Sequence, residues 1–358
     1  MRRWVICGVL CLLTLTVSAG AAEVPEELRR ALPRETQELL RQTEDGSDAS
    51  FRGGLSEILT AVKRQFRTVL RQQTRGAALV VLAAMLCGVM DGAGQAVGDR
   101  VRLTPMVGAL SVTMISAGSL DSLVGLGVET IDAMGAFSKV LLPTLAAAAA
   151  ASGAMNTATA QQVATVFFVD VLLQLIRELL LPLAYLYIGV LTASSMLADG
   201  RLKGIAAGLK KCVTFLLSGA LIVFTVYLSV SRVLWGSVDN MAVKMTKTAI
   251  SGVVPVVGGI LADASETVLA GAGMLKNTVG IFGMLAILAV CALPFLRLGV
   301  QYLLYKLAAF LAGTVGPPEL RDLIDGLAGA FGLVLGMTGA CALLLLVSVL
   351  SSVAAVTP

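Results

Sequence analysis

Histidine is absent from this chain of 358 residues. Its absence removes His-based acid–base catalysis, Ser–His triads and every zinc site that uses imidazole. Charge is scarce too: 14% of residues are Asp, Glu, Lys or Arg, against about 25% in a typical soluble domain. The net charge of +4 and the 5% of aromatics form no basic stripe interleaved with rings, so no nucleic acid is expected as a partner. The six cysteines, Cys7, Cys11, Cys87, Cys212, Cys291 and Cys341, all sit in apolar runs and none forms a CxxC. They read as small buried hydrophobes. No GxxxxGK[ST] occurs, so the chain does not draw on ATP through a phosphate loop of its own. No cofactor, metal site or enzymatic activity is expected.

What remains is oil: 57% of residues are hydrophobic and the mean hydropathy is +0.87. The expected fold is all-α, a polytopic helical membrane protein with Pro/Gly-broken or re-entrant helices. Residues 1–21 read as a signal peptide, with Arg2 and Arg3 before the apolar run Trp4 to Val17 and Ala19-Gly20-Ala21 as an A-x-A cleavage site. Residues 22–75 form an extracytoplasmic polar segment. Pro25 followed by Glu26 and Glu27 suits a helix start. Leu55, Ile58, Leu59, Val62 and Phe66 recur at helical spacing opposite Lys63, Arg64, Arg67 and Arg71, describing an amphipathic helix. Such a helix lies on a membrane surface or packs on its own membrane domain. The cluster Lys63 to Arg75 precedes the first span and runs against the positive-inside tendency if the segment is exported. Lipid headgroups or an acidic partner would answer its charge.

From residue 76 to 358 apolar segments alternate with short polar breaks. Candidate spans are 76–90, 103–120, 134–152, 162–176, 179–198, 212–231, 278–296, 299–315 and 329–356. Several fall short of the about 20 residues that a span requires. The stretch Asp199 to Lys211, with Arg201, Lys203, Lys210 and Lys211, reads as a cytoplasmic loop. The pairs Gly204/Gly208 and Gly332/Gly336 have the small-xxx-small spacing that permits close helix contact. A weak internal repeat, 132–231 and 244–349, is drawn by Pro143 and Pro182, 39 residues apart, and by Pro255 and Pro294, also 39 apart. The first proline of each pair ends a polar-led segment and the second closes a long apolar helix. GRLKGIAAGL then resembles PELRDLIDGL, at an offset six residues larger.

Two polar clusters interrupt the apolar sequence. Pro255, Gly258 and Gly259 break a segment that also carries Asp263, Glu266, Lys276 and Asn277. Asp263 and Glu266, three apart, face one way on a helix, and these seven residues are the candidate path or gate. A polar loop between two helices is the alternative. Paired carboxylates also serve glycoside hydrolysis, but nothing here builds a sugar cleft. The second cluster, Asp170, Gln174, Arg177 and Glu178, falls on one face of a helix just before Pro182. A charged face in a membrane helix points at protein or water. It lines a hydrated path or forms a structural ion pair.

The run from Lys244 to Leu311 carries a resemblance. Its elements are Lys247-Thr248-Ala249, Pro255-Val256-Val257-Gly258, Asp263, Leu275-Lys276-Asn277, Gly280, Cys291, Pro294 and Tyr305-Lys306-Leu307. Together they resemble the stage III sporulation protein AE family of endospore-forming bacteria, and the order of features agrees along nearly the whole chain. Gly259 departs from the lysine expected there in that family. The resemblance implies a sporulation-specific, permease-like membrane subunit of a channel complex linking mother cell and forespore. It implies partners in the same complex, among them a secretion-type ATPase and ring-forming subunits. It also implies the mother-cell membrane around the forespore as the location. From the residues alone, a stand-alone proton- or cation-coupled transporter using Asp170, Asp263 and Glu266, or a non-conducting scaffold, remain alternatives.

Overall fold

In the computed structural model, residues 25–34, 36–38, 40, 51–97, 103–151, 155–196, 201–253 and 258–354 are described. Within those helices the side chains of 93–97, 103–105, 155–162, 201, 231–253, 258–272, 274–276 and 354 lie outside the description. The signal-peptide expectation for 1–21 falls outside it as well. Among the described residues there is no strand.

A short helix α1 (Glu26–Arg30) starts after Pro25, with Glu26 and Glu27 in its first turn and Arg29 and Arg30 in its last. This charge order matches the helix dipole at both ends. Leu28 is buried and α1 packs on α3. The main elements come next: α2 (Phe51–Val97), α3 (Leu103–Ala151), α4 (Met155–Leu175), a π turn (Ile176–Leu180), α5 (Leu181–Met196), α6 (Arg201–Val253), α7 (Gly258–Val315) and α8 (Pro318–Ala354). Among the described residues, five stretches are long and apolar enough to cross a membrane: Phe51–Gly92, Met106–Ala151, Leu202–Val230, Asn277–Val315 and Pro318–Val353. The protein is an all-α, multi-pass integral membrane protein.

These helices are longer than a bilayer requires. At 1.5 Å per residue the 39-residue stretch of α7 rises about 58 Å, roughly twice a hydrocarbon core of about 30 Å. Part of the bundle therefore stands outside the hydrocarbon. Helix α2 also runs without a break through residues 75 and 76, where the polar segment meets the membrane domain.

Several expected breaks are continuous helix. Spans 103–120 and 134–152 are one helix, α3, because the intervening stretch is amphipathic. Leu120, Leu123, Val124, Ile131, Met134, Phe137 and Leu141 are buried along one stripe, which keeps the helix period running past the charges. Spans 278–296 and 299–315 are likewise one helix, α7. Pro143 and Pro294 lie inside α3 and α7, so neither ends its helix. Each removes one backbone donor, and packing against neighbouring helices compensates. Pro294 is itself buried. Residues 201–211 are the first turns of α6 rather than a loop. Leu202, Ala206, Leu209 and Val213 carry its inner stripe, with Ala206 and Val213 buried.

The core is the hairpin α7–α8, joined by Gly316 and Pro317, with α3 laid against both. Tyr305 and Phe331 meet edge to face at 5.1 Å and are fully buried. Around this centre small residues admit knobs. A Cβ at Gly283 would lie 2.8 Å from Leu141, one at Gly339 3.2 Å from Phe295, and one at Gly332 3.3 Å from Tyr302. Close approach of this kind holds helices together where water supplies no hydrophobic drive.

Candidate functional site: a polar cleft at mid-length

One group of described charges lies around α3, the α4–α5 rod and α7, apart from the pairs Lys203–Asp322 and Lys306–Asp325 that tie α6 and α7 to α8. Helix α3 presents Asp121, Gly125, Glu129 and Asp132 at spacings of four, four and three residues, so they form one outward ridge opposite its buried stripe. A cleft of about 710 Å³ opens beside this ridge. Gln72 and Gln73 of α2, Asp121, Ser122 and Glu129 of α3, and Arg297 and Gln301 of α7 line it. Asp121, Gly125 and Glu129 also border a second hollow of about 370 Å³ that reaches Asp132, Leu181 and Tyr185. The two spaces share one acidic wall.

Specific bonds set the cleft's shape. Gln73 Nε2 donates to the Arg297 backbone oxygen at 3.1 Å, tying α2 to α7 at the cleft. Tyr305 donates its hydroxyl proton to Ser116 Oγ at 3.0 Å, one turn of α7 beyond Gln301. Gln301 is 1% exposed, and its Oε1 and that of Gln73 have no hydrogen-bond partner among the described residues. A buried amide oxygen without a partner costs on the order of 1–3 kcal/mol, and water entering a polar cleft of this size removes that cost. The cleft thus offers two carboxylates and one guanidinium, with two unpartnered amide oxygens buried in its wall.

The Asp170 cluster is described, and its charges pair with α3. Asp170 lies 4.0 Å from Lys139, and Arg177 is ion-paired with Asp132. Each pair is seven residues from the other on both helices, giving a two-rung antiparallel ladder. Between the rungs Leu173 sits over Gly135, where a Cβ would lie 2.7 Å from its Cδ1. Gln174 Nε2 donates to Glu178 Oε1 at 3.3 Å. The π turn falls directly before Pro182, and the Leu181 amide donates to the Ile176 oxygen. Inserting a residue there absorbs the donor that Pro182 lacks and rotates the helix between the ladder and Tyr185.

The other cluster falls mostly outside the described residues. Pro255 lies between the end of α6 at Val253 and the start of α7 at Gly258. The backbone through Gly258, Gly259, Asp263, Glu266 and Lys276 is α7 helix, while their side chains are not described. Asn277 is half-buried on the same helix. Sequence reasoning missed Asp121, Glu129, Asp132, Lys139, Arg297 and Gln301. The available signal is the four-four-three spacing on α3, hidden because 121–133 reads as a connection between spans.

The family model for stage III sporulation protein AE matches residues 35–356. A relative of that name from Bacillus subtilis (strain 168) is 27% identical over 216 residues, 59% of this chain and 53% of the relative. The aligned stretch thus spans about half of that relative's length. No solved structure matches. A multi-pass helical chain matched from residue 35 to residue 356 belongs to the stage III sporulation protein AE family.

Proposed function

We propose that this protein is the polytopic, permease-like membrane subunit of a sporulation channel complex between mother cell and forespore. The observation that carries the reading is the cleft: an open, polar-lined space with unpartnered amide oxygens, set among helices that cross a membrane. Polar and ionisable groups held together among membrane helices persist where they line a water-filled path or meet a partner. Energy would come from a secretion-type ATPase, with ring-forming subunits continuing the path across the intermembrane space. The mother-cell membrane around the forespore is the proposed location. In this reading Asp121 and Glu129 hydrate the path and Arg297 sets its charge balance. Asp263 and Glu266 are proposed to extend it toward the Pro255–Gly259 break.

The test is a pair of substitutions in sporulating cells. Asp121→Asn with Glu129→Gln is expected to lower spore yield at least about tenfold, while the chain still reaches the membrane and co-purifies with its partners. Loss of co-purification instead makes the protein a scaffold. Ion-driven solute uptake by the purified chain alone in liposomes makes it a stand-alone transporter. Normal spore yield in a strain lacking the gene overturns the sporulation role of this member.

A further inference from the structure

We propose that the basic strip of α2 binds the phosphate groups of anionic phospholipid headgroups. Lys63, Arg64, Arg67, Arg71 and Arg75 are all exposed, and the arginines succeed one another at helical spacings of three and four. They form a ridge about 18 Å long at 1.5 Å per residue. Among the described residues no salt bridge joins any of them to an acid, and no acid occurs in α2 from Ile58 to Met90. Like charges four residues apart repel on a helix, so the ridge calls for a counter-charge that no described residue supplies.

The continuation of the ridge along the same helix face identifies that counter-charge. Arg67, Arg71 and Arg75 are succeeded by Leu79, Leu82, Leu86 and Met90, again three or four residues apart. Those four are 52%, 53%, 57% and 63% exposed. One uncovered face therefore changes from cationic to apolar within a single turn. A lipid monolayer has that same order along its normal, phosphates first and acyl chains next, and long basic side chains place their charge at its headgroups. An acidic soluble protein would answer the ridge and leave the apolar continuation in water. The inner side of the strip is already occupied: Ile58 and Val69 are buried, Val62 packs against the core, and Gln73 is tied to Arg297. Helix α2 is thus fixed on the bundle with its charged ridge facing away. Asp121 and Glu129 line the neighbouring cleft and make no ion pair with the strip among the described residues.

The experiment uses the purified full chain with defined lipids, phosphatidylglycerol and phosphatidylcholine, and counts retained lipids by native mass spectrometry. The wild-type chain is expected to retain phosphatidylglycerol at least about tenfold over phosphatidylcholine and to lose that preference as salt is raised. Substituting Arg67→Gln, Arg71→Gln and Arg75→Gln together should reduce phosphatidylglycerol retention about tenfold, and the corresponding Arg→Lys triple variant should keep it. Equal retention of the two lipids by the wild type, or unchanged retention in the Gln variant, overturns the proposal. If the Gln variant does not fold, the wild-type salt titration and the Lys variant decide: a preference insensitive to salt, or lost with lysine in place, overturns it. A photoreactive residue at Thr68 should cross-link lipid in membranes of sporulating cells. Cross-linking only to a protein would assign the strip to an acidic partner instead.

Discussion

The central hairpin and the outer helices are built from similar apolar sequence and end in opposite surroundings. In α7 and α8 the membrane-crossing windows are 67% and 61% buried within the bundle, while in α2 and α6 they are 17% and 22% buried. For α6 the difference shows in what the glycines meet. On α7 and α8, Gly280, Gly283, Gly326, Gly332 and Gly339 each receive a side chain from a neighbouring helix. On α6, Gly204, Gly208 and Gly219 have nothing within 4 Å of a Cβ position. The same residue type thus marks a tight helix contact in one place and an open face in the other. Hydropathy assigns both sets of helices to the membrane, and packing decides which of them meet lipid.

The sharpest way to break this contrast is at the point where an outer helix touches the hairpin turn. A Cβ at Gly88 of α2 would overlap the Val315 carbonyl oxygen and come within 2.9 Å of Gly316 Cα. Backbone cannot yield as a flexible side chain does, so Gly88→Leu should destabilise the protein by about 3 kcal/mol or more. Thermal unfolding in detergent measures this, and a loss below about 0.5 kcal/mol, the range of an ordinary surface substitution, would show that α2 is only loosely attached.

A smaller effect is expected inside the hairpin core. Tyr305→Phe removes the hydroxyl bonded to the fully buried Ser116 and should cost about 1 kcal/mol in the same assay. On the outer ladder, Arg177→Gln, Asp132→Asn and their combination form a double-mutant cycle. Both side chains are about half exposed, 53% and 42%, so a coupling of about 0.5 kcal/mol is expected. A coupling above about 2 kcal/mol would mean that another protein covers the ladder and removes it from water.

The smallest change is expected on α6. Gly208→Ala meets open space and relieves the entropic cost of glycine in a helix, so it should stabilise by about 0.5 kcal/mol. Destabilisation there, measured in the assembled complex and not in the isolated chain, would reveal a partner helix packed on α6.

Much of this architecture was legible in the residues. The start of α1 followed from Pro25, Glu26 and Glu27; of the apolar stripe on α2, Ile58 and Val62 pack inward while Leu59 and Phe66 are exposed. The ladder was half visible: Asp170 and Arg177 could be placed on one face, but Lys139 and Asp132 were not recognised as their counterparts. An antiparallel register matches them, and no local pattern in α4 or α3 encodes that register. The cleft was missed for a related reason. A span read as an unbroken apolar run excludes Asp121, Glu129 and Asp132, whereas a helix longer than the bilayer carries them on one face while its buried stripe continues. Pro182 and Pro294 read as helix ends because a lone helix loses about 3 kcal/mol at an internal proline. Inside a bundle, contacts such as Leu141 over Gly283 and Phe295 against Gly339 keep the rod continuous.

What the sequence by itself determined is what each residue carries wherever it lies. Scarce charge and abundant apolar side chains demand a helical membrane protein, the lack of histidine removes its chemistry, and the motifs of the Lys244–Leu311 run pointed to the family. The tertiary structure alone decided which helices are central, that Asp132 meets Arg177, and that Gln73, Asp121, Glu129, Arg297 and Gln301 border one cleft. Those outcomes depend on the relative register of helices far apart in the chain. Register is chosen by the joint fit of many knobs and small residues, which no single segment contains.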